Sequence, residues 1–157
     1  MTYKVLSSLT ANNVNSADIL KVKTDLLIIG VNKKTSSASE LKDLKSSSNS
    51  MIGESMNEIN NGTRKSIFLP APAKIGAKNI LLIKEPEVDA ASFLVIRHFE
   101  EIMGMIKSSK SKDFAFLMSS ATPKKVDLNW MAEVAARTFE AAAYTFNATK
   151  NKTAKPV

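Results

Sequence analysis

The most apolar run of the chain lies in residues 25–31, Asp25-Leu26-Leu27-Ile28-Ile29-Gly30-Val31. It is an unbroken apolar run that closes around a glycine, which is typical of a strand buried on both faces. Such strands occur in sheets that helices cover from above and below. The stretch therefore predicts a central strand over residues 25–31 in a layered fold of sheet and helices.

Further strands and helices alternate along the chain. Apolar runs bounded by turn residues predict four more strands, at residues 3–9, 66–69, 79–83 and 113–118. Amphipathic spacing predicts four helices, at residues 37–44, 50–59, 89–107 and 127–146, the third capped by Asp89. The serine-rich residues 46–50 are predicted to be a loop, and the short crossing between 66–69 and 79–83 predicts an antiparallel pair. This order favours an α/β fold with a mixed β-sheet flanked by helices on both faces.

Length and composition limit the class of protein. The chain has 157 residues and no cysteine, which suits one domain and excludes disulfides, thiolate zinc sites and cysteine nucleophiles. No apolar run approaches the roughly 20 residues that span a bilayer, and the first residues lack a signal-peptide core. We therefore expect a cytoplasmic protein that does not enter a membrane.

The sequence offers no set of residues for catalysis or metal binding. His98 is the only histidine, so His-His metal pairs are excluded within the chain. Its charged neighbours predict a half-exposed surface position. The adjacent carboxylates Glu100 and Glu101 point apart on a helix, and glycine-rich phosphate loops are missing. We expect no catalytic or metal-binding residue in this chain.

The net charge of +7 is concentrated near the end of the chain. Residues 105–157 hold nine Lys and Arg against four Asp and Glu, whereas residues 1–104 hold thirteen against eleven. Five lysines flank the strand predicted from residue 113, and they are candidates for weak, non-specific contact with DNA phosphates: Lys107, Lys110, Lys112, Lys124 and Lys125. The alternative is that they are solvated lysines at helix ends, where the helix dipole favours them.

The last helix carries four aromatic residues that do not fit on one narrow stripe, Trp130, Phe139, Tyr144 and Phe146. We interpret this helix as half core and half docking surface for another domain.

The order of segments resembles the amino-terminal domain of the leucyl (cytosol) aminopeptidases over nearly the whole chain. The resemblance rests on residues 25–31, 41–44, 51–53 and 79–83 and on the closing Phe139-to-Lys152 segment with its Tyr144-Thr145-Phe146-Asn147. Asn147 replaces the usual aspartate, and Lys84-Glu85-Pro86 replaces a Gly-x-Gly turn.

This resemblance implies a macro-domain-like three-layer sandwich. Residues 1–147 would form the non-catalytic domain, and residues 148–157 a basic linker or tail leading to a catalytic domain that is absent from this chain. That second domain would hold two divalent metals, zinc or manganese, and remove amino-terminal residues from peptides with a metal-activated water. The domain described here would contact its own catalytic domain, help build a homohexamer and, in some members, bind DNA.

Two other functions remain open. One is a macro-like module that binds an ADP-ribose-type ligand, because Asp25, the apolar strand and Asn32 resemble the opening of that fold. The other is a purely nucleic-acid-binding protein, which the basic last third favours.

Overall fold

The computed structural model of the chain describes residues 16–33, 41–48, 50–86, 92–117 and 127–152. These residues form helices and strands in the order α1 (Ser16–Lys21), β1 (Leu26–Val31), α2 (Lys42–Ser47), α3 (Met51–Asn60), β2 (Ser66–Pro70), β3 (Asn79–Lys84), α4 (Ser92–Ser109), β4 (Phe114–Leu117) and α5 (Leu128–Lys152).

The described strands form one mixed sheet in the order β2-β3-β1-β4. β1 pairs in parallel with β3, starting with Leu26 opposite Asn79, and in parallel with β4 on its other side. β2 and β3 form the predicted antiparallel pair, with Phe68 opposite Leu81. The predicted central position of β1 is confirmed, and all six of its residues are buried.

Helices cover both faces of this sheet, as predicted. Side chains alternate along a strand, so Leu27 and Ile29 of β1 face one side and Leu26 and Ile28 face the other. The first side packs against α1, α2 and α3, and the buried residues there are Ile19, Leu41 just before α2, Leu44, Ile52, Met56 and Ile59. The second side packs against α4 and α5, chiefly through Val95, Phe99, Ile102, Ile106, Ala135 and Phe139. The result is a three-layer α/β/α sandwich.

The prediction that His98 is half-exposed is wrong. His98 is buried, with 7% of its surface exposed, and its ring centroid lies 5.8 Å from that of Phe99. Val95 and Ile102, which lie three residues before and four residues after His98, are also buried, so the histidine belongs to the core-facing stripe of α4. Burial lowers its pKa to about 4, against a smaller opposite effect of the charge on Glu101.

Several predicted boundaries shift. Helix α1 was not predicted, and the predicted loop at 46–50 is partly wrong because Ser46 and Ser47 belong to α2. Helix α5 continues to Lys152, beyond the predicted end at residue 146. The predicted strand at 3–9 and the predicted cap Asp89 lie outside the described residues. In the described part of the chain, no helix is both long and apolar enough to cross a membrane.

Candidate functional site: the two edges of the parallel strands

The parallel strands give the sheet two chemically different edges. We call amino edge the side where β1, β3 and β4 begin, formed by residues 18–25, 72–78 and 107–113. We call carboxyl edge the side where these strands end, where Asn32 follows β1 and Glu85 follows β3.

Hydrogen bonds hold the three segments of the amino edge together. Asp25 N donates to Asp113 Oδ1 over 2.7 Å, and Lys112 N donates to Asp25 Oδ2 over 2.9 Å. The Thr24 hydroxyl also donates to Asp113 Oδ1, over 2.7 Å. Lys78 N donates to Thr24 O over 3.0 Å, which joins the segment before β3 to the segment before β1. The amino edge is therefore a fixed platform.

This platform is strongly basic. Seven lysines occupy its three segments, all of them exposed: Lys21, Lys23, Lys74, Lys78, Lys107, Lys110 and Lys112. Three aspartates share these segments, Asp18, Asp25 and Asp113. Lys78 Nζ lies 2.5 Å from Asp25 Oδ1; this contact and the Lys112 amide hold the pKa of Asp25 below its usual value. Because lysines exceed aspartates by more than two to one, the edge has a positive potential suited to an anionic partner.

The structure brings together three of the five predicted phosphate contacts. Lys107, Lys110 and Lys112 all lie on the amino edge, whereas Lys124 and Lys125 lie outside the described residues. The sequence reasoning missed the lysines before β1 and β3, at positions 21, 23, 74 and 78. The sequence could have indicated them, because each of these lysines lies within a few residues of the start of a predicted strand. Parallel strands begin at the same edge of a sheet.

The carboxyl edge holds a half-buried carboxyl group. The Glu85 carboxyl lies directly over Gly30, where an added Cβ would overlap it. Asn32 Nδ2 donates to Glu85 Oε2 over 2.5 Å, and Glu85 N donates to Val31 O over 3.0 Å. Burial raises the pKa of Glu85 to about 7, and the Asn32 hydrogen bond opposes part of this shift.

The chain leaves β1 and β3 toward opposite faces of the sheet. After β1 it continues into α2 and α3 on the first face, and after β3 into α4 on the second face. Two neighbouring parallel strands whose connections part in this way leave a crevice between their carboxyl ends, and ligands of open α/β sheets bind in such crevices. Asn32 and Glu85 lie at this crevice.

Asp25 and Asn32, which resemble the opening of a macro-like fold, do not lie on the same edge of the sheet. The two residues lie at opposite ends of β1, Asp25 on the amino edge and Asn32 on the carboxyl edge. At about 3.3 Å per residue, seven steps along the strand separate them by roughly 23 Å.

The two aromatic side chains of α5 that the structure describes both pack against the core. Phe139 is buried and makes edge-on contacts with Phe114 and Phe99, at centroid distances of 5.2 and 5.9 Å. Trp130 is half-buried against the same core. The side chains of Tyr144 and Phe146 lie outside the described residues, so the docking role of the four stays a prediction.

Neither edge presents a metal centre in the described residues. No group of three or more His, Asp or Glu side chains there could hold a metal ion.

Comparison with known proteins gives the family and the fold. The model of the cytosol aminopeptidase family, N-terminal domain, matches residues 28–153. Among solved structures, the chain is similar to the macrodomain of Mycobacterium tuberculosis DarG, with a TM-score of 0.61 and 14% identity over 79% of this chain and 86% of that one. It is also similar to a mutant of the Oceanobacillus iheyensis macrodomain, with a TM-score of 0.58 and 14% identity over 81% of this chain and 78% of that one.

A search of curated proteins found no match. The macrodomain neighbours confirm the predicted mixed-sheet, macro-like fold. Because the family match covers most of the chain, this protein belongs to the cytosol aminopeptidase family and represents its N-terminal domain.

Proposed function

We propose that this chain is the non-catalytic accessory domain of a metal-dependent leucyl aminopeptidase and that its amino edge contacts nucleic acid. Family membership supports the first part. The catalytic domain would hold the two divalent metals, zinc or manganese, and the complete enzyme would be a cytoplasmic homohexamer that this domain helps to assemble. The lysine cluster of the amino edge is the observation that supports the second part.

The isolated chain tests the first part. We expect that it holds no stoichiometric divalent metal and does not cleave an amino-acid anilide, because the described residues contain no metal-ligand group. Metal analysis and a peptidase assay measure both. Turnover that persists through repurification would refute the non-catalytic assignment.

The chemistry of the amino edge fits phosphates better than bases. Seven exposed lysines on a platform fixed by hydrogen bonds can neutralise several phosphates, whereas no arginine or asparagine cluster lies there to read base edges. With about three to five phosphates neutralised, the logarithm of the binding constant should fall with a slope of roughly −3 to −5 against the logarithm of salt concentration. The expected dissociation constant is about 10⁻⁴ to 10⁻⁶ M at physiological salt, independent of sequence.

Two matched pairs of substitutions test the location of this contact. Lys110→Gln with Lys112→Gln removes two charges from the amino edge, and Lys42→Gln with Lys65→Gln removes two exposed charges elsewhere. By fluorescence anisotropy with labelled duplex DNA, the first pair should reduce the salt slope by about 2, and the control pair should leave it unchanged. If both pairs reduce the salt slope equally, DNA binding depends on net charge alone and not on the amino edge.

A second function is suggested by the macrodomain neighbours and the crevice at the carboxyl edge, namely binding of an ADP-ribose-type ligand. Isothermal titration calorimetry with ADP-ribose tests it. The Glu85 carboxyl argues against it, because an ionised carboxylate in the crevice would repel a pyrophosphate group.

A further inference from the structure

The carboxyl group in the crevice between β1 and β3 has an open hydrogen-bonding position. Oε2 of Glu85 accepts from Asn32, while Oε1 has no hydrogen-bond partner among the described residues. Every fully buried side-chain oxygen in the described part of the chain has a partner, so Oε1 must be reachable from solvent. The crevice therefore presents a half-buried carboxyl oxygen to whatever enters it.

We propose that this crevice is a binding site for a small organic cation whose N–H group, an amidinium, guanidinium or ammonium, donates to Oε1 of Glu85. The site goes beyond the proposed contact with nucleic acid, which lies at the other edge of the sheet.

A cation fits this carboxyl because the residues that the structure describes supply no positive partner for it. Burial and the Asn32 amide are the two influences on its ionisation that the described residues provide. The neighbouring lysines, Lys33 and Lys84, are exposed and neither shifts its pKa. A half-buried carboxylate without a cation is poorly compensated for its lost hydration. A cationic donor would supply a charge-assisted hydrogen bond, which is about twice as strong as one between neutral groups.

Gly30 is what allows the carboxyl to occupy this position. Because a Cβ at residue 30 would overlap the Glu85 side chain rather than the backbone, Gly30→Ala should push the flexible carboxyl outward without changing any charge. Gly30→Ala therefore tests whether binding requires the carboxyl at this position, because the carboxyl itself is still present.

Three small probes of the same shape and different charge test the proposal: benzamidinium, benzamide and benzoate. They are titrated into isotope-labelled protein while backbone amides are followed by NMR. Benzamidinium should shift the amides of Gly30, Asn32 and Glu85 with a dissociation constant of about 1–10 mM, as expected for nine non-hydrogen atoms. Benzamide and benzoate should leave these amides unmoved.

The dependence on pH follows from the carboxyl. With a pKa of about 7, Glu85 goes from roughly one-tenth to roughly nine-tenths ionised between pH 6 and pH 8, so benzamidinium affinity should rise about tenfold over that range. Glu85→Gln and Gly30→Ala should each weaken binding at least tenfold at pH 8, while Glu100→Gln, which removes an exposed carboxylate of α4, should have no effect.

Benzamidinium binding that survives both Glu85→Gln and Gly30→Ala would overturn the proposal. Equal shifts of these amides by benzamide would also overturn it. So would a benzamidinium affinity that does not change with pH, which can be measured on the unaltered protein. Shifts of the same amides by ADP-ribose alone would support the ADP-ribose module instead. None of these outcomes depends on whether the amino edge binds DNA.

Discussion

Replacing Glu85 by glutamine should increase the free energy of unfolding at neutral and higher pH but not at acidic pH. In the folded state burial raises the pKa of this carboxyl from 4.5 to about 7. Below pH 4.5 the group is protonated in both folded and unfolded states, so it does not alter the free energy of unfolding. Between pH 4.5 and 7 the unfolded chain releases the proton more readily, and stability is lost as pH rises.

The size of the effect follows from the shift. Each pKa unit corresponds to about 1.4 kcal/mol, so ionised Glu85 destabilises the folded state by about 3 kcal/mol at pH 8. Glutamine keeps a polar side chain of the same size that does not ionise. The difference in unfolding free energy between Glu85→Gln and the unaltered protein should therefore grow by about 3 kcal/mol from pH 4.5 to pH 8.

Urea unfolding, followed by circular dichroism at pH 4.5, 6 and 8, measures this difference. In thermal unfolding a gain of this size corresponds to an increase in Tm of about 6–12 °C for a chain of this length. Glu100→Gln is the matched control, because Glu100 is exposed on α4. A difference that stays constant with pH would show that Glu85 is hydrated and that the burial argument is wrong.

Other residues give independent expectations. His98 should show no titration above about pH 5 by NMR, and its pKa of about 4 means that about 3 kcal/mol of stability is lost as pH falls from 6.5 through 4; a midpoint near 6.5 would contradict its burial. Gly76→Ala should destabilise by about 1–3 kcal/mol because its Cβ would lie 2.8 Å from a backbone oxygen, whereas Gly53→Ala, in open space on α3, should stabilise by about 0.5–1 kcal/mol; urea unfolding of both variants should give opposite signs. Phe139→Ala should lose about 3–5 kcal/mol from the core, while Phe93→Ala, at a side chain 65% exposed, should change little; similar losses in the two would refute this assignment of the core.

The sequence was sufficient to predict those helices and strands whose burial produces a pattern among residues that are close together in the chain. The apolar run at 25–31 predicted β1, and the short turn region after residue 70 predicted the antiparallel β2 and β3 pair, because both depend on neighbours in the chain. Helix α1 was missed since its six residues are too few to show a period. The exposure of His98 was predicted wrongly because its charged neighbours were given more weight than its spacing from Val95 and Ile102. The structure shows that this spacing determines its burial.

The two edges could not be predicted in full because they depend on which strands are neighbours. Lys78 and Lys112 lie together only because β3 and β4 both run parallel to β1. In the same way, Glu85 was noted in the sequence only as part of Lys84-Glu85-Pro86, which replaces a Gly-x-Gly turn. Its contact with Asn32, 53 positions away, requires the parallel register of β1 and β3.

The pairing of β1 with β4 has a consequence for how the chain folds. Leu26 pairs with Phe114, so the two strands are separated by almost ninety residues of chain. At a synthesis rate of about 5–20 residues per second, β1 leaves the ribosome roughly 4 to 18 s before its partner. During that interval one side of an entirely apolar strand is unpaired, while the β2 and β3 hairpin can already form from local contacts. We expect pulse-labelling hydrogen exchange during refolding to protect the Leu82 amide, which faces β2, before the Leu117 amide, which faces β1.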